Sequence, residues 1–336
     1  MGSAVRRRRW AGPPPLLVLA TVLAFVMAPV FSGSDSGYAS EGTGGGETAS
    51  LASGEIRQLP AVGAEPLTTA GQTIERRHEI GVVTMNEFNQ LSIAQARADA
   101  VSVTSKSAAD IVGWQEARGF GPVFGTLKDR GWATRRFPSG AKELAVSWRR
   151  AEFAYVGATS RLVAFGVDEV TGRYPFGNRY IIRVTLRHRA TGRLLSVINT
   201  HLPHKSEDRD RPGHWTRTSN AARARFQLER MRREWETAPG RWVVGTGDYN
   251  FDARADARVG LRRAPAKALA SVARAAYAVL GGGDLRPTHP PTGRYIDYVH
   301  AARSDLESGE IKFLSQRTLF GFHSDHRPLL VRMVLR

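Results

Sequence analysis

Five short polar clusters recur in order along this chain, each closing or opening an apolar run. They are Thr84-Met85-Asn86, Gln115-Glu116, Asn199-Thr200-His201-Leu202, Gly247-Asp248-Tyr249-Asn250 and Ser324-Asp325-His326-Arg327-Pro328. Clusters at the ends of strands constrain a fold strongly, because several strands must deliver them to one rim if they act together. Their shared content is carboxylate, carboxamide and imidazole, the groups that hold a hard cation against a phosphate ester.

The apolar runs read as strands at 78–86, 110–116, 144–148, 180–187, 194–200, 242–246, 295–300 and 329–335. Residues 180–187 alternate Ile182, Val184 and Leu186 with polar neighbours, as a half-buried strand does. Thr191-Gly192 turns that strand back into 194–200, making a hairpin that ends at His201. Two stretches suit helices. One is the Ala-rich stretch 91–109. The other is 220–235, where Ala224, Leu228, Met231 and Trp235 share one face and Ser219 or Asn220 caps the start. Consecutive strands and a late hairpin argue against pure βαβ winding. The expectation is an α+β fold, two packed, mostly antiparallel sheets flanked by helices.

The N-terminal part reads differently. Arg6 to Arg9 precede an apolar stretch from Leu16 to Phe31, shorter than the roughly 20 residues of a spanning helix. Residues 1–31 therefore read as a signal peptide or an uncleaved signal anchor, which places the body outside the plasma membrane. Residues 32–74 are Gly/Ser-rich and read as a disordered linker. Residues 75–336 form one catalytic domain, with no internal repeat and no sign of an obligate protein partner, so a monomer is expected.

The formal charge is +17, and of 48 Lys and Arg only six are Lys. Such an excess favours anionic partners, nucleic acid or phospholipid headgroups. A coding bias toward Arg explains it equally well. The absence of Cys excludes disulfides and zinc–thiolate sites.

Glu116 closes a strand carrying Ile111, Val112 and Trp114, where a carboxylate needs a metal or a charged partner. A salt bridge to one of the many Arg residues is the plain alternative. Asp248 and Asn250 are two apart and face the same side of an extended segment. The rival there is an Asx turn. Asp297 lies in the otherwise apolar YIDYVH, and His326 is the natural partner to receive it, since a carboxylate fixes an imidazole's tautomer. His201 ends its hairpin, and Asp325 precedes His326. His204, His214, His289 and His323 have weaker claims. Oxygen ligands without Cys favour Mg²⁺, with Mn²⁺ or Ca²⁺ as further candidates.

In this order the segments TMN, QE, NTHL, GDYN, IDYV and SDHRP resemble the endonuclease/exonuclease/phosphatase superfamily over residues 78–336. The resemblance implies the deoxyribonuclease I-like four-layer fold and hydrolysis of a phosphodiester by activated water. It implies that Asn86 and Glu116 bind the cation with Asp325 nearby. Asp248 would orient or deprotonate the water, and Asn250 would hold the phosphate or that water. His326, oriented by Asp297, would act as base or phosphate stabiliser, and His201 would contact the phosphate from the other side. The inositide 5-phosphatase branch carries Pro-x-Trp-Cys-Asp-Arg where this chain has Arg294-Tyr295-Ile296-Asp297-Tyr298, which speaks against that substrate. Nucleic acid is the expected substrate, with a sphingomyelinase-like phospholipid or a small phosphorylated molecule as the alternative. The segments FGPVF (120–124) and LFGF (319–322) are candidate apolar loops for a lipid surface, although core packing suits them as well.

Overall fold

The first apolar run forms β1 (His78–Asn86), and the stretch behind it forms α1 (Ile93–Lys106). A capping box opens that helix, with the Ser92 side chain accepting from the Gln95 N–H and Gln95 returning the bond. Then come β2 (Ile111–Gln115), α2 (Gly121–Asp129), β3 (Trp132–Arg136), β4 (Ala145–Arg149), β5 (Phe153–Ala164), β6 (Arg179–His188) and β7 (Leu194–His201). The long amphipathic stretch forms α3 (Ser219–Glu236), capped by the Thr218 side chain on the Ala221 N–H rather than by Ser219 or Asn220. Asn220 is instead buried, donating to the His204 carbonyl. The chain continues through β8 (Trp242–Asp248), α4 (Ala253–Val259), α5 (Pro265–Leu269), β9 (Ala273–Ala275) and α6 (Ala276–Leu280). It ends with β10 (Asp297–Ala302), α7 (Arg303–Glu307), β11 (Ile311–Thr318) and β12 (Leu329–Leu335). This computed structural model describes residues 78–166, 177–283 and 285–336. The leader and linker expected at 1–31 and 32–74 lie outside the described residues, and among the described residues no helix is long and apolar enough to cross a membrane.

The strands make two six-stranded sheets, ordered β11-β12-β1-β2-β4-β3 and β5-β6-β7-β8-β10-β9. Each has one parallel pair near its centre, β1 with β2 and β7 with β8, and every other pairing is antiparallel. The parallel pairs require crossovers, which α1 and α3 supply. The expected α+β sandwich is therefore the observed one, with one βαβ unit set into each sheet.

This topology decides where chemistry can be built. The C-terminal ends of β1, β2, β7 and β8 point to one rim. Antiparallel neighbours start there: Asp297 of β10 pairs with Asp248, Leu329 of β12 with Thr84, and Ala145 of β4 with Trp114. All five polar clusters thus reach the same edge of the sandwich.

Between the sheets lies a continuous apolar core that includes Val82, Ile111, Val146, Val184, Val197, Val244, Val299 and Val331. A second core forms between the first sheet and its outer helices, with Val83, Met85 and Trp114 against Ala100 and Val103 of α1 and Phe124 and Leu127 of α2. The FGPVF segment belongs here. It begins α2, and Phe120, Val123 and Phe124 are buried, so it is core and not an apolar loop beside the site.

Part of each polar cluster stitches the sheets together. Asn199 is fully buried and donates to the Trp114 and Ala145 carbonyls, while its Oδ1 accepts from Gln115 Nε2 at 2.7 Å and Thr246 Oγ1 at 3.1 Å. Thr84 Oγ1 accepts the Gly247 N–H and donates to Gln115 Oε1. The approach is close enough that a Cβ on Gly113 would lie 1.9 Å from Thr246 Oγ1. Every polar atom of Asn199 is satisfied, as a buried amide requires.

Candidate active site

At this rim a cleft of about 1480 Å³ opens, with Glu116, His201, Asp248, Asn250, Asp325 and His326 in its wall. Asp248, the last residue of β8, is the hub. Its Oδ1 accepts the Asn250 N–H at 2.7 Å. Its Oδ2 accepts from Asn86 Nδ2 at 3.0 Å and Asn250 Nδ2 at 3.3 Å. The same oxygen lies 3.3 Å from His201 Nε2 and 3.8 Å from His326 Nε2. One carboxylate therefore sits between two imidazoles.

Each imidazole has a carboxylate on its far side. His326 Nδ1 lies 2.8 Å from Asp297 Oδ2, the pairing expected from the sequence. His201 Nδ1 lies 3.3 Å from Glu143 Oε2, and Glu143 is itself ion-paired with Arg179. Burial and the Arg179 charge act against protonation of His201, but Glu143 and Asp248 outweigh them and hold it up at about 10. Burial likewise opposes protonation of His326, and Asp297, Asp248 and Asp325 overcome it to hold it at about 9. Burial works to raise Asp248, yet the two histidines and the Asn250 N–H push it well below the usual carboxylate range. Burial also works to raise Glu143, but Arg179 and then His201 hold it at about 2. The arrangement is thus two imidazolium ions sharing an ionised aspartate.

Glu116 stands at the mouth of the cleft. Its Oε1 accepts from Asn86 Nδ2 at 3.2 Å and its Oε2 from the Asn89 N–H at 3.1 Å. The alternative of an Arg salt bridge does not occur among the described residues. Asn86 is fully buried beneath Glu116 and Asp248, its amide shared between them and its Oδ1 accepting the Phe88 N–H. Asp325 Oδ1 is buried without a hydrogen-bond partner, and its Oδ2 lies 3.5 Å from His289 Nε2. Glu116 and Asn250 both take left-handed backbone conformations, with φ of 54° and 47°. Such conformations cost about 1–3 kcal/mol each and persist where surroundings enforce them. At Asn250 the enforcement is visible: its carbonyl accepts from Arg294 Nη2 at 3.0 Å, and Arg294 is ion-paired with the buried Glu207.

Asn86, Glu116, His201, Asp248, Asn250, Asp297, Asp325 and His326 are therefore all brought to one place, with Asn86 and Asp297 behind the wall rather than in it. The residues missed are Glu143, Arg179, Glu207 and Arg294, and His289, given only a weaker claim from the sequence, also lines the cleft. Glu143 and Arg179 each stand singly near a strand start, where nothing but a charge before an apolar run marks them. His323 belongs elsewhere, paired through Nδ1 to the buried Asp99 at 2.8 Å. Of the LFGF segment, Leu319 and Phe322 pack on the second core, while Phe320 is 60% exposed.

No protein-family model and no curated protein sequence matches the chain. Solved structures do. D. rerio TDP2 complexed with single-strand DNA product is 14% identical, over 76% of this chain and 98% of that one, with a TM-score of 0.55. An endonuclease/exonuclease/phosphatase from Bacteroides vulgatus is 18% identical over 77% and 100%, with a TM-score of 0.55. A mannosyl-6-phosphatase from Bacteroides thetaiotaomicron is 17% identical over 76% and 100%, with a TM-score of 0.53. The fold of this chain is that of the endonuclease/exonuclease/phosphatase superfamily.

Proposed function

We propose that this chain is a divalent-metal-dependent phosphoric ester hydrolase that cleaves a phosphodiester by in-line attack of water, with nucleic acid as its substrate. The observation that carries this reading is Asp248 held between His201 and His326, each backed by a carboxylate, and facing Glu116 and Asp325 across one cleft.

The residues present fit a hard cation. Glu116 and Asp325 offer carboxylate oxygens, one of them buried and unpartnered, and no sulfur is at hand. Glu116 and Asp325 would hold the ion, and Asn86 would fix Glu116 and Asp248 in place from below. When bound, Mg²⁺ supplies charge that offsets the negative charge gathering on the phosphate oxygens.

The chain's own groups do the rest. Asp248, ionised because two imidazoles contact it, accepts a hydrogen bond from the attacking water and aims it. Being a weak base in this setting, it orients more than it deprotonates. His326 and His201, kept protonated by Asp297 and Glu143, donate to non-bridging phosphate oxygens from two sides. Asn250 presents its amide beside Asp248 to the same phosphate. Positioned groups of this kind are each worth about 10²–10⁴-fold.

The substrate assignment rests on charge. Arg118, Lys142, Lys205 and Arg209 line the cleft without an ion pair to any described residue. Four such cations suit a polyanion longer than one phosphate. A second reading, a sphingomyelinase-like phospholipid phosphodiesterase, is favoured by Phe165 and Phe320, which are 75% and 60% exposed on loops of this same rim. Export directed by residues 1–31 is part of the proposal, and protease accessibility on intact cells tests it; action as a monomer is part of it too, and the mass in solution tests that. The substrate is tested by a panel of plasmid DNA, RNA, sphingomyelin and a phosphomonoester, with Mg²⁺ or chelator. Chelator-sensitive cleavage of nucleic acid supports the first reading, and exclusive cleavage of sphingomyelin replaces it with the second.

A further inference from the structure

Three side chains that line the cleft converge. His289, Asp325 and His326 each offer one ligand atom, and the three atoms lie within 4.8 Å of one another. Two nitrogens and one carboxylate oxygen form a softer donor set than the all-oxygen set at Glu116.

The orientation of both rings is that of metal-binding histidines. Such a histidine donates its other ring N–H to an oxygen, which fixes the tautomer and frees the ligating nitrogen. His326 uses Nδ1 on Asp297 Oδ2 at 2.8 Å. His289 uses Nδ1 on Thr292 Oγ1 at 2.7 Å, leaving Nε2 directed at Asp325. The two rings stand 4.7 Å apart between centroids. Asp325 contributes an oxygen that no protein donor satisfies. All three residues line the open cleft, so an ion has a route in and free positions for water.

A second acidic and imidazole group, Asp248 with Asp297 and His326, is fully buried. Its Asp248 oxygens are already used by Asn86 and Asn250, and its Asp297 serves His326. That group is a hydrogen-bond relay and not an ion cage.

We propose that His289, Asp325 and His326 form a binding site for a divalent transition-metal ion of borderline softness, of which Zn²⁺ is the probe, sharing Asp325 with the cation site proposed above and making no use of Glu116. Three protein ligands with an open position is the pattern of a reactive and not a purely structural zinc site. The site rests on the same cleft as that reading, shares Asp325 and His326 with it, and binds an ion only by displacing the proton on His326; its test reads binding alone, and Glu116→Gln separates the two.

The test is Zn²⁺ competition between the metal-stripped, tag-free full chain and a chromophoric chelator, with circular dichroism to verify folding. The wild-type chain is expected to retain one Zn²⁺ that His289→Gln loses. Thr292→Val, which removes only the orienting acceptor, is expected to weaken binding about 10–100-fold. Glu116→Gln is expected to leave Zn²⁺ affinity unchanged. Absence of Zn²⁺ binding in the wild type would overturn the proposal, as would equal affinity in His289→Gln or a loss that follows Glu116→Gln. If His289→Gln does not fold, Thr292→Val decides, and an unchanged affinity there overturns the assignment.

Discussion

Asp248 and Asp297 face each other as a register pair on antiparallel β8 and β10, and His326 reaches in from the loop before β12 to contact both. Two carboxylates at such close range are mutually unfavourable, and the imidazolium between them offsets that repulsion. Asp297 sits deeper, and burial raises its carboxyl while His326 opposes the shift.

Asp297→Asn removes the carboxylate that holds His326 protonated. In the metal-free protein, the His326 imidazole is expected to titrate near 9 in the wild type and clearly lower in the variant, followed by NMR. Turnover is expected to fall by about 10²–10⁴-fold. A His326 titration identical in both proteins would contradict the assignment.

The alkaline stability limit follows from both imidazoles. His201 and His326 bind their protons more tightly folded, at about 10 and about 9, than unfolded. Their stabilising contribution is therefore complete below the ordinary value of about 6.5 and is lost as pH rises through the folded values. The Tm of metal-free protein is expected to decline between those limits. In Glu143→Gln the decline should be smaller and end at lower pH, because the folded value of His201 falls toward its unfolded one. A flat Tm across this range in the wild type would count against protonated imidazoles.

Lys142→Ala and Lys205→Ala each remove one cleft cation that is ion-paired to no described residue. For a nucleic acid substrate, the slope of log kcat/KM against log salt concentration should become shallower by about 0.7–0.9 per variant. Unchanged slopes with unchanged turnover would place the polyanion elsewhere.

Asn199→Ala tests the separation of scaffold from chemistry within one cluster. It strands Thr246 Oγ1 between the sheets and leaves Gln115 Nε2 with the Gly113 carbonyl alone. A buried group left unsatisfied costs about 1–3 kcal/mol, so urea denaturation should show a loss of at least that size. A loss of activity with stability unchanged would mean that Asn199 acts in the site instead.

The eight strands legible in the sequence and the four that were not are separated by position. β3, β5, β9 and β11 are the four sheet edges. An edge strand has a neighbour on one side only, so its residues need not be apolar. Tyr155, Val156 and Leu162 of β5 and Leu314 of β11 are exposed, and β9 has only three residues. Central strands such as β8, buried at every residue, carry the continuous apolar runs that mark them. The site follows the same rule. Clusters at the ends of central strands were readable, whereas Glu143 and Arg179 act as lone charges and His289 comes from a Pro-rich turn without periodicity. Which residue of each cluster serves the cleft and which joins the sheets depends on the side-chain direction at the strand end. Only the three-dimensional register reveals it, as at Asn199 and His201.

The most direct test of the central claim is Mg²⁺-dependent single-turnover cleavage of a phosphodiester by wild type, Asp248→Asn and Glu116→Gln. The expected result is hydrolysis that chelator abolishes and that each substitution lowers by about 10² or more, with circular dichroism unchanged. Hydrolysis indifferent to chelator, or wild-type rates in either variant, would contradict the account.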